Sequence, residues 1–158
     1  MEQITLDTFA IKQSEEGKYV SEKEPEVFSI KQTLKKLRSI SLISLVEIWL
    51  NKEADLIQKR DIVVEGYSGI EHVIEFKVIT EEGPEEMNML VKVLDFKKSA
   101  GVDAINKYRK MAEDTKYRCL IVSNSFSKQA VFLSEKTENI ILITRKELEQ
   151  ILILSRIV

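Results

Sequence analysis

Two short, wholly apolar runs constrain this chain most: Cys119-Leu120-Ile121-Val122 and Ile140-Ile141-Leu142-Ile143. Each is strand length and has no polar side chain on either face, as expected of a strand covered on both sides. Between them, Ser127 to Lys136 has helical spacing, with Ser125 or Ser127 as N-cap. Strand, helix and strand in succession imply a parallel crossover. Thr144-Arg145-Lys146-Glu147 then has capping-box spacing and opens a last helix.

The first half has a different rhythm. From Ser29, apolar residues Ile30, Leu34, Leu37, Ile40, Ile43 and Leu45 recur at about helical spacing. One helix is expected there, ending near 51–54, with Trp49 in its core face. Three strands follow: one at 62–65, one at 72–79 and one at 88–96. The two-glycine turn Gly66-Tyr67-Ser68-Gly69 and the breaker Glu81-Glu82-Gly83-Pro84 separate them, so an antiparallel meander is expected. Residues 100–115 read as an amphipathic helix and Arg118–Ser123 as the next strand. The order αβββαβαβα predicts an α/β fold, a mixed sheet flanked by helices. Residues 1–28 read as an arm or small hairpin ahead of a domain at 29–158, with 21–26 as a charged connection.

Composition excludes several classes. Charged residues make up 32% and the net charge is −2, so any nucleic-acid site must be a local patch rather than a global field. One cysteine, Cys119, rules out an internal disulfide and points to a reducing compartment. The start of the chain lacks a basic segment followed by an apolar one, so no secretory leader is expected. The most apolar stretch, 40–50, is about half the ~20 residues of a membrane span. Cytoplasmic residence without membrane contact is the resulting expectation.

The candidate chemistry rests on Glu75, Asp95 and Lys97. If the second and third strands pair as a hairpin, both carboxylates sit side by side on one face. Lys97, two residues after Asp95, joins them by strand alternation. Two carboxylates suit a hard divalent cation such as Mg²⁺ or Mn²⁺, and a lysine suits the orientation of a water. An acid-x-Lys spacing is common by chance, and most such residues face solvent. What raises this one is the apolar strand Val91–Leu94, which runs straight into the charges.

These residues resemble the PD-(D/E)XK nuclease superfamily, in particular its Mrr-type restriction-endonuclease branch. The segment Gly66 to Glu75 is similar to the glycine turn and first acid of that family. Leu94-Asp95-Phe96-Lys97 is similar to its acid-x-Lys motif, and 119–130 and 140–148 are similar to its later strand–helix–strand run. The resemblance covers roughly residues 33–152. It implies a restriction-endonuclease-like fold and a metal-dependent nuclease acting on DNA, with Glu75 and Asp95 as metal ligands and Lys97 at the water. Glu47, on the first helix, matches an acid that many members carry. The family usually has Asp where Glu75 stands.

Other positions carry weaker readings. Ser68, His72, Lys98, Lys107 and Lys110 are candidates for contact with nucleic acid, the lysines by tracking phosphates. The bland readings are a tight turn for Ser68 and an ordinary solvated helix face for the lysines. His72 is the only histidine and, three positions from Glu75, is expected on the opposite face. A second basic run, Lys31, Lys35, Lys36 and Arg38, is expected to flank the same cleft. Cys119 reads as inert and buried. The apolar end, Ile151–Leu154, either packs on the sheet or supports a homodimer, which a single-site nuclease would need for duplex DNA. The rival to an enzyme is a nucleic-acid-binding or scaffold protein on the same fold; a junction-resolving nuclease is a further variant.

Overall fold

The computed structural model describes residues 23–53, 56–79 and 88–157. The proposed hairpin at the start of the chain and the breaker near Gly83 lie outside these residues. The order is α1 (Lys23–Arg38), α2 (Leu42–Glu53), β1 (Leu56–Glu65), β2 (Glu71–Ile79), β3 (Met89–Leu94), α3 (Val102–Thr115), β4 (Arg118–Ser123), α4 (Lys128–Glu135), β5 (Ile140–Thr144) and α5 (Arg145–Ile157).

The five strands form one mixed sheet in the order β1-β2-β3-β4-β5. β1, β2 and β3 are an antiparallel meander, while β3, β4 and β5 run parallel, as the change in rhythm predicts. Helices α1, α2 and α5 cover one face, where Leu37, Leu45, Val46 and Leu148 meet Phe76, Val91 and Leu120. Helices α3 and α4 cover the other, where Ile105, Met111 and Ala130 meet Ile74, Leu90 and Ile121. β4, an interior strand buried on both faces, explains its uninterrupted apolar run; β5 lies at the sheet edge and is partly buried, packed by Ile141 and Ile143 on one side and Leu142 on the other. Cys119 is fully buried, and burial pushes its thiol up to about 12, so it is inert at neutral pH.

Two helix readings are corrected. The first helix begins at Lys23, so 23–26 is helical rather than a connection. It is also two helices, interrupted at 39–41. Ser39 Oγ donates to the Lys36 carbonyl, and Ser44 N donates to Ser41 Oγ. These serines offer the backbone local partners that compete with the helical ladder. Elsewhere the capping reading holds: Thr144 N donates to Glu147 Oε1, and Glu147 N donates back to Thr144 Oγ1. Ser127, not Ser125, caps α4 through Ala130 N. The apolar end packs on the sheet through Leu152 and Ile153. Among the described residues no helix is long and apolar enough to cross a membrane.

β1 is longer than expected and carries an irregularity. Lys59 pairs with Phe76, yet Ile62 pairs with Ile74, so Arg60 and Asp61 together oppose Glu75. Both adopt left-handed backbone, with φ of 64° and 51°. An extra residue of this kind bends a strand and reverses which residues face which side.

Candidate active site and the adjoining cleft

The bulge changes the geometry expected at Glu75. β2 pairs with β3 through Phe76–Val91, which sets Lys92, not Asp95, beside Glu75. The two side chains form an ion pair at 3.3 Å, about a fifth exposed. Lys92 also lies 5.8 Å from the centre of the Tyr108 ring on α3, so the pair faces α3. Asp95 is three residues past Lys92, an odd number, and alternation points it to the opposite face. Glu75 and Asp95 are therefore not side by side. Oε1 of Glu75 pairs with Lys92, while Oε2 is buried with no hydrogen-bond partner among the described residues.

The face of His72 is corrected for the same reason. His72 Nε2 lies 2.7 Å from Asp114 Oδ2 on α3, so His72 and Glu75 share the α3 side. Ile74 also packs on that side. Two consecutive residues, Ile74 and Glu75, thus face one way, and β2 changes parity between them. Counting on from that change, His72 shares a side with Leu94, and Glu71 shares the other side with Asp95. Glu71 is an acid to which the sequence reading gave no role. It follows the Gly66–Ile70 turn directly, which was the available signal.

Asp95 lies just past the end of β3 and is exposed. Asn124, just past the end of β4, donates its Nδ2 to Asp95 Oδ1 at 2.8 Å and to the Phe96 carbonyl at 2.9 Å. Beyond it, Ala100 N donates to the Ser125 carbonyl and Ser127 N to the Ala100 carbonyl. The segment carrying Asp95 and Lys97 is thus pinned to the β4–α4 connection. Lys97 is exposed and makes no ion pair among the described residues. Glu47 sits on α2, two strands from β3, bonded to Lys59 at 2.9 Å and 4.0 Å from Arg60. The Lys59 hydrogen bond and charge hold the Glu47 carboxyl below its usual range.

On the α3 side, β2, β3 and α3 enclose a cleft of ≈ 480 Å³. Ser68, His72, Lys107 and Lys110 line it, four of the five residues proposed for nucleic-acid contact. Lys98, beyond the end of β3, does not. The basic end of α1 packs through Leu37 on the other face of the sheet and does not flank this cleft.

One wall is organised by Asp114. Its Oδ1 accepts from Ser68 N at 2.9 Å and its Oδ2 from Ser68 Oγ at 2.8 Å, beside His72. Its carbonyl accepts from Tyr67 N. A Cβ on Gly66 would collide with the Asp114 carboxylate and displace it from Ser68 and His72, so glycine lets the turn approach without moving it. The hydrogen bonds from His72 first, then Ser68, hold the Asp114 carboxyl below its usual range. Because the folded carboxyl ionises more readily than the unfolded one, its contribution is fully present above about pH 4. It is lost as pH falls through the lower folded value. Asp114→Asn should therefore remove part of the acid-side slope in urea stability measured from pH 5 to 2; an unchanged slope would reject this role.

The chain can now be compared with known proteins. The Mrr-type catalytic domain model, described as a restriction endonuclease, matches residues 53–152. The chain belongs to that family. No curated protein matches the sequence. Among solved structures, a protein of unknown function is similar at 13% identity with a TM-score of 0.56; the match covers 67% of this chain and 62% of that one. It supports the restriction-endonuclease-like fold alone. A repair endonuclease from Pyrococcus abyssi is similar at 14% identity with a TM-score of 0.46, over 66% of this chain and 46% of that one.

Proposed function

We propose that the chain is a metal-dependent endodeoxyribonuclease whose site is Glu71, Asp95 and Lys97. The observation that carries this is the Asn124 clamp. It fixes one oxygen of Asp95 at the end of a buried strand and leaves the other available, with Lys97 two residues on.

The donor set fits a hydrated Mg²⁺ or Mn²⁺. Such ions keep several waters and take one or two carboxylates. No group of three metal-binding side chains occurs among the described residues, which argues against an all-protein cage. Asp95 and Glu71 would hold the ion, and Glu71 replaces Glu75 in that role. When bound, the ion supplies Lewis-acid polarisation of a phosphate and lowers the pKa of a water. Lys97 orients that water or accepts its proton, and its charge offsets the negative charge that develops on the phosphate. Asn124 keeps Asp95 from turning away. Glu47 is held by Lys59 and contributes at most from outside this set. A homodimer, with one site per strand, is the arrangement that would cut duplex DNA.

Calorimetric titration with Mn²⁺ tests the site. Binding should vanish in Asp95→Ala, fall in Glu71→Ala, and persist in Glu75→Gln. The second reading, a nucleic-acid-binding or scaffold protein on the nuclease fold, is favoured by the absence of a third ligand. No metal binding by the wild type, with DNA present or absent, would establish that reading instead.

A further inference from the structure

The cleft is more specific than a general path for DNA. Its ≈ 480 Å³ falls within the range of small-ligand sites, about 300–1,000 Å³. A duplex cannot enter such a space. Its cations are placed on one helix face: Lys107 and Lys110 are three residues apart on α3 and make no ion pair among the described residues. The Lys107 ammonium lies 5.5 Å from the Tyr108 ring centre. Its apolar part is on the other wall, where Ile70 is 59% exposed. Met111 adds to this part, and the two acids of the cleft wall behave differently. Asp114 is saturated by Ser68 and His72, while strand alternation from His72 carries the Glu71 side chain to the other side of β2.

A ligand matching both walls carries a negative group and a flat apolar body. We propose that the cleft takes one unpaired nucleotide of a DNA strand. Its phosphate meets Lys107 and Lys110, and its base rests on Ile70 and Met111. This deepens the nuclease reading and rests on it. The start of β2 separates cleft from cutting site, with His72 on one side and Glu71 on the other. The nucleotide in the cleft therefore lies next to the phosphate that is cut. The preferred substrate is DNA with an unpaired nucleotide beside the scissile bond, such as a single strand or a flap, rather than a perfect duplex.

Anisotropy titration of a labelled ten-nucleotide single strand and the matching duplex tests this, using wild type and Lys107→Ala/Lys110→Ala. Both lysines are on the surface of a well-packed helix, so the double variant should fold. Wild type should favour the single strand by roughly tenfold. The double variant should lose that preference, with a salt slope smaller by about 0.7, the value for one phosphate contact on a single strand. Equal affinity for strand and duplex, or an unchanged salt slope, would overturn the proposal. So would a free mononucleotide that competes at the strand's own affinity, which would mark a small-molecule site. Mn²⁺ titration of the same samples separates the two ideas. Metal binding that ignores Asp95→Ala rejects the nuclease site, whereas loss in that variant with no strand preference rejects the cleft alone.

Discussion

Lys97→Ala is expected to lower the single-turnover cleavage rate by about 10²–10⁴-fold, the range for losing a positioned acid–base group, while Mn²⁺ binding persists. Lys97 is exposed, so its removal creates no cavity and leaves no buried partner. A surface lysine in an ordinary role would give a change within a factor of about two. Lys97→Arg sharpens the test. Arginine keeps the charge but cannot give up a proton at any accessible pH. If Lys97 only balances charge on the phosphate, arginine restores much of the rate. If it takes a proton from water, arginine stays near the alanine level. Unchanged cleavage in both variants would remove Lys97 from the site and shift the weight to a binding function.

The positions of Asp95 and Lys97 were legible in the sequence because they depend on a strand end, whereas the neighbours of Glu75 depend on strand pairing and were not. Val91–Leu94 is apolar and Asp95-Phe96-Lys97 is charged, which places the acid and the lysine beyond β3 by composition alone. The parallel half was equally open, because Cys119–Val122 and Ile140–Ile143 are short, wholly apolar runs flanking a helical segment. The partner of Asp95 was not readable. It depends on the pairing of β2 with β3 through Phe76–Val91, which no residue pattern signals. Arg60 and Asp61 likewise take left-handed backbone without a glycine to signal it. Asn124 was hidden for a different reason. It lies 29 residues from Asp95 in the chain and meets it only through the parallel pairing of β3 with β4. The break at 39–41 was likewise masked by an apolar spacing that continues across it.

That break also predicts the largest stability effect outside the core. Ending α1 at Arg38 leaves backbone carbonyls without helical partners. The Arg145 guanidinium takes them: it donates to the carbonyls of Leu37 at 2.9 Å and Arg38 at 3.3 Å, and to that of Ile40. Its Nε donates to Glu149 Oε2 at 3.2 Å, with side-chain exposures of 20% and 9%. A cation is also the favoured charge at a helix C-terminus. Arg145→Ala should therefore cost about 2–3 kcal/mol, below the ~3–5 kcal/mol of a fully buried pair because a fifth of Arg145 is exposed to screening solvent. Removing the acid as well, in Arg145→Ala/Glu149→Leu, should recover part of this, since no charge is then left buried without a partner. Urea denaturation of the three proteins measures both effects. A loss below about 0.5 kcal/mol for the single variant would mean that α1 is held by Leu37 and its apolar neighbours alone. Equal losses for the single and double variants would place the whole effect in the three carbonyls and none in Glu149.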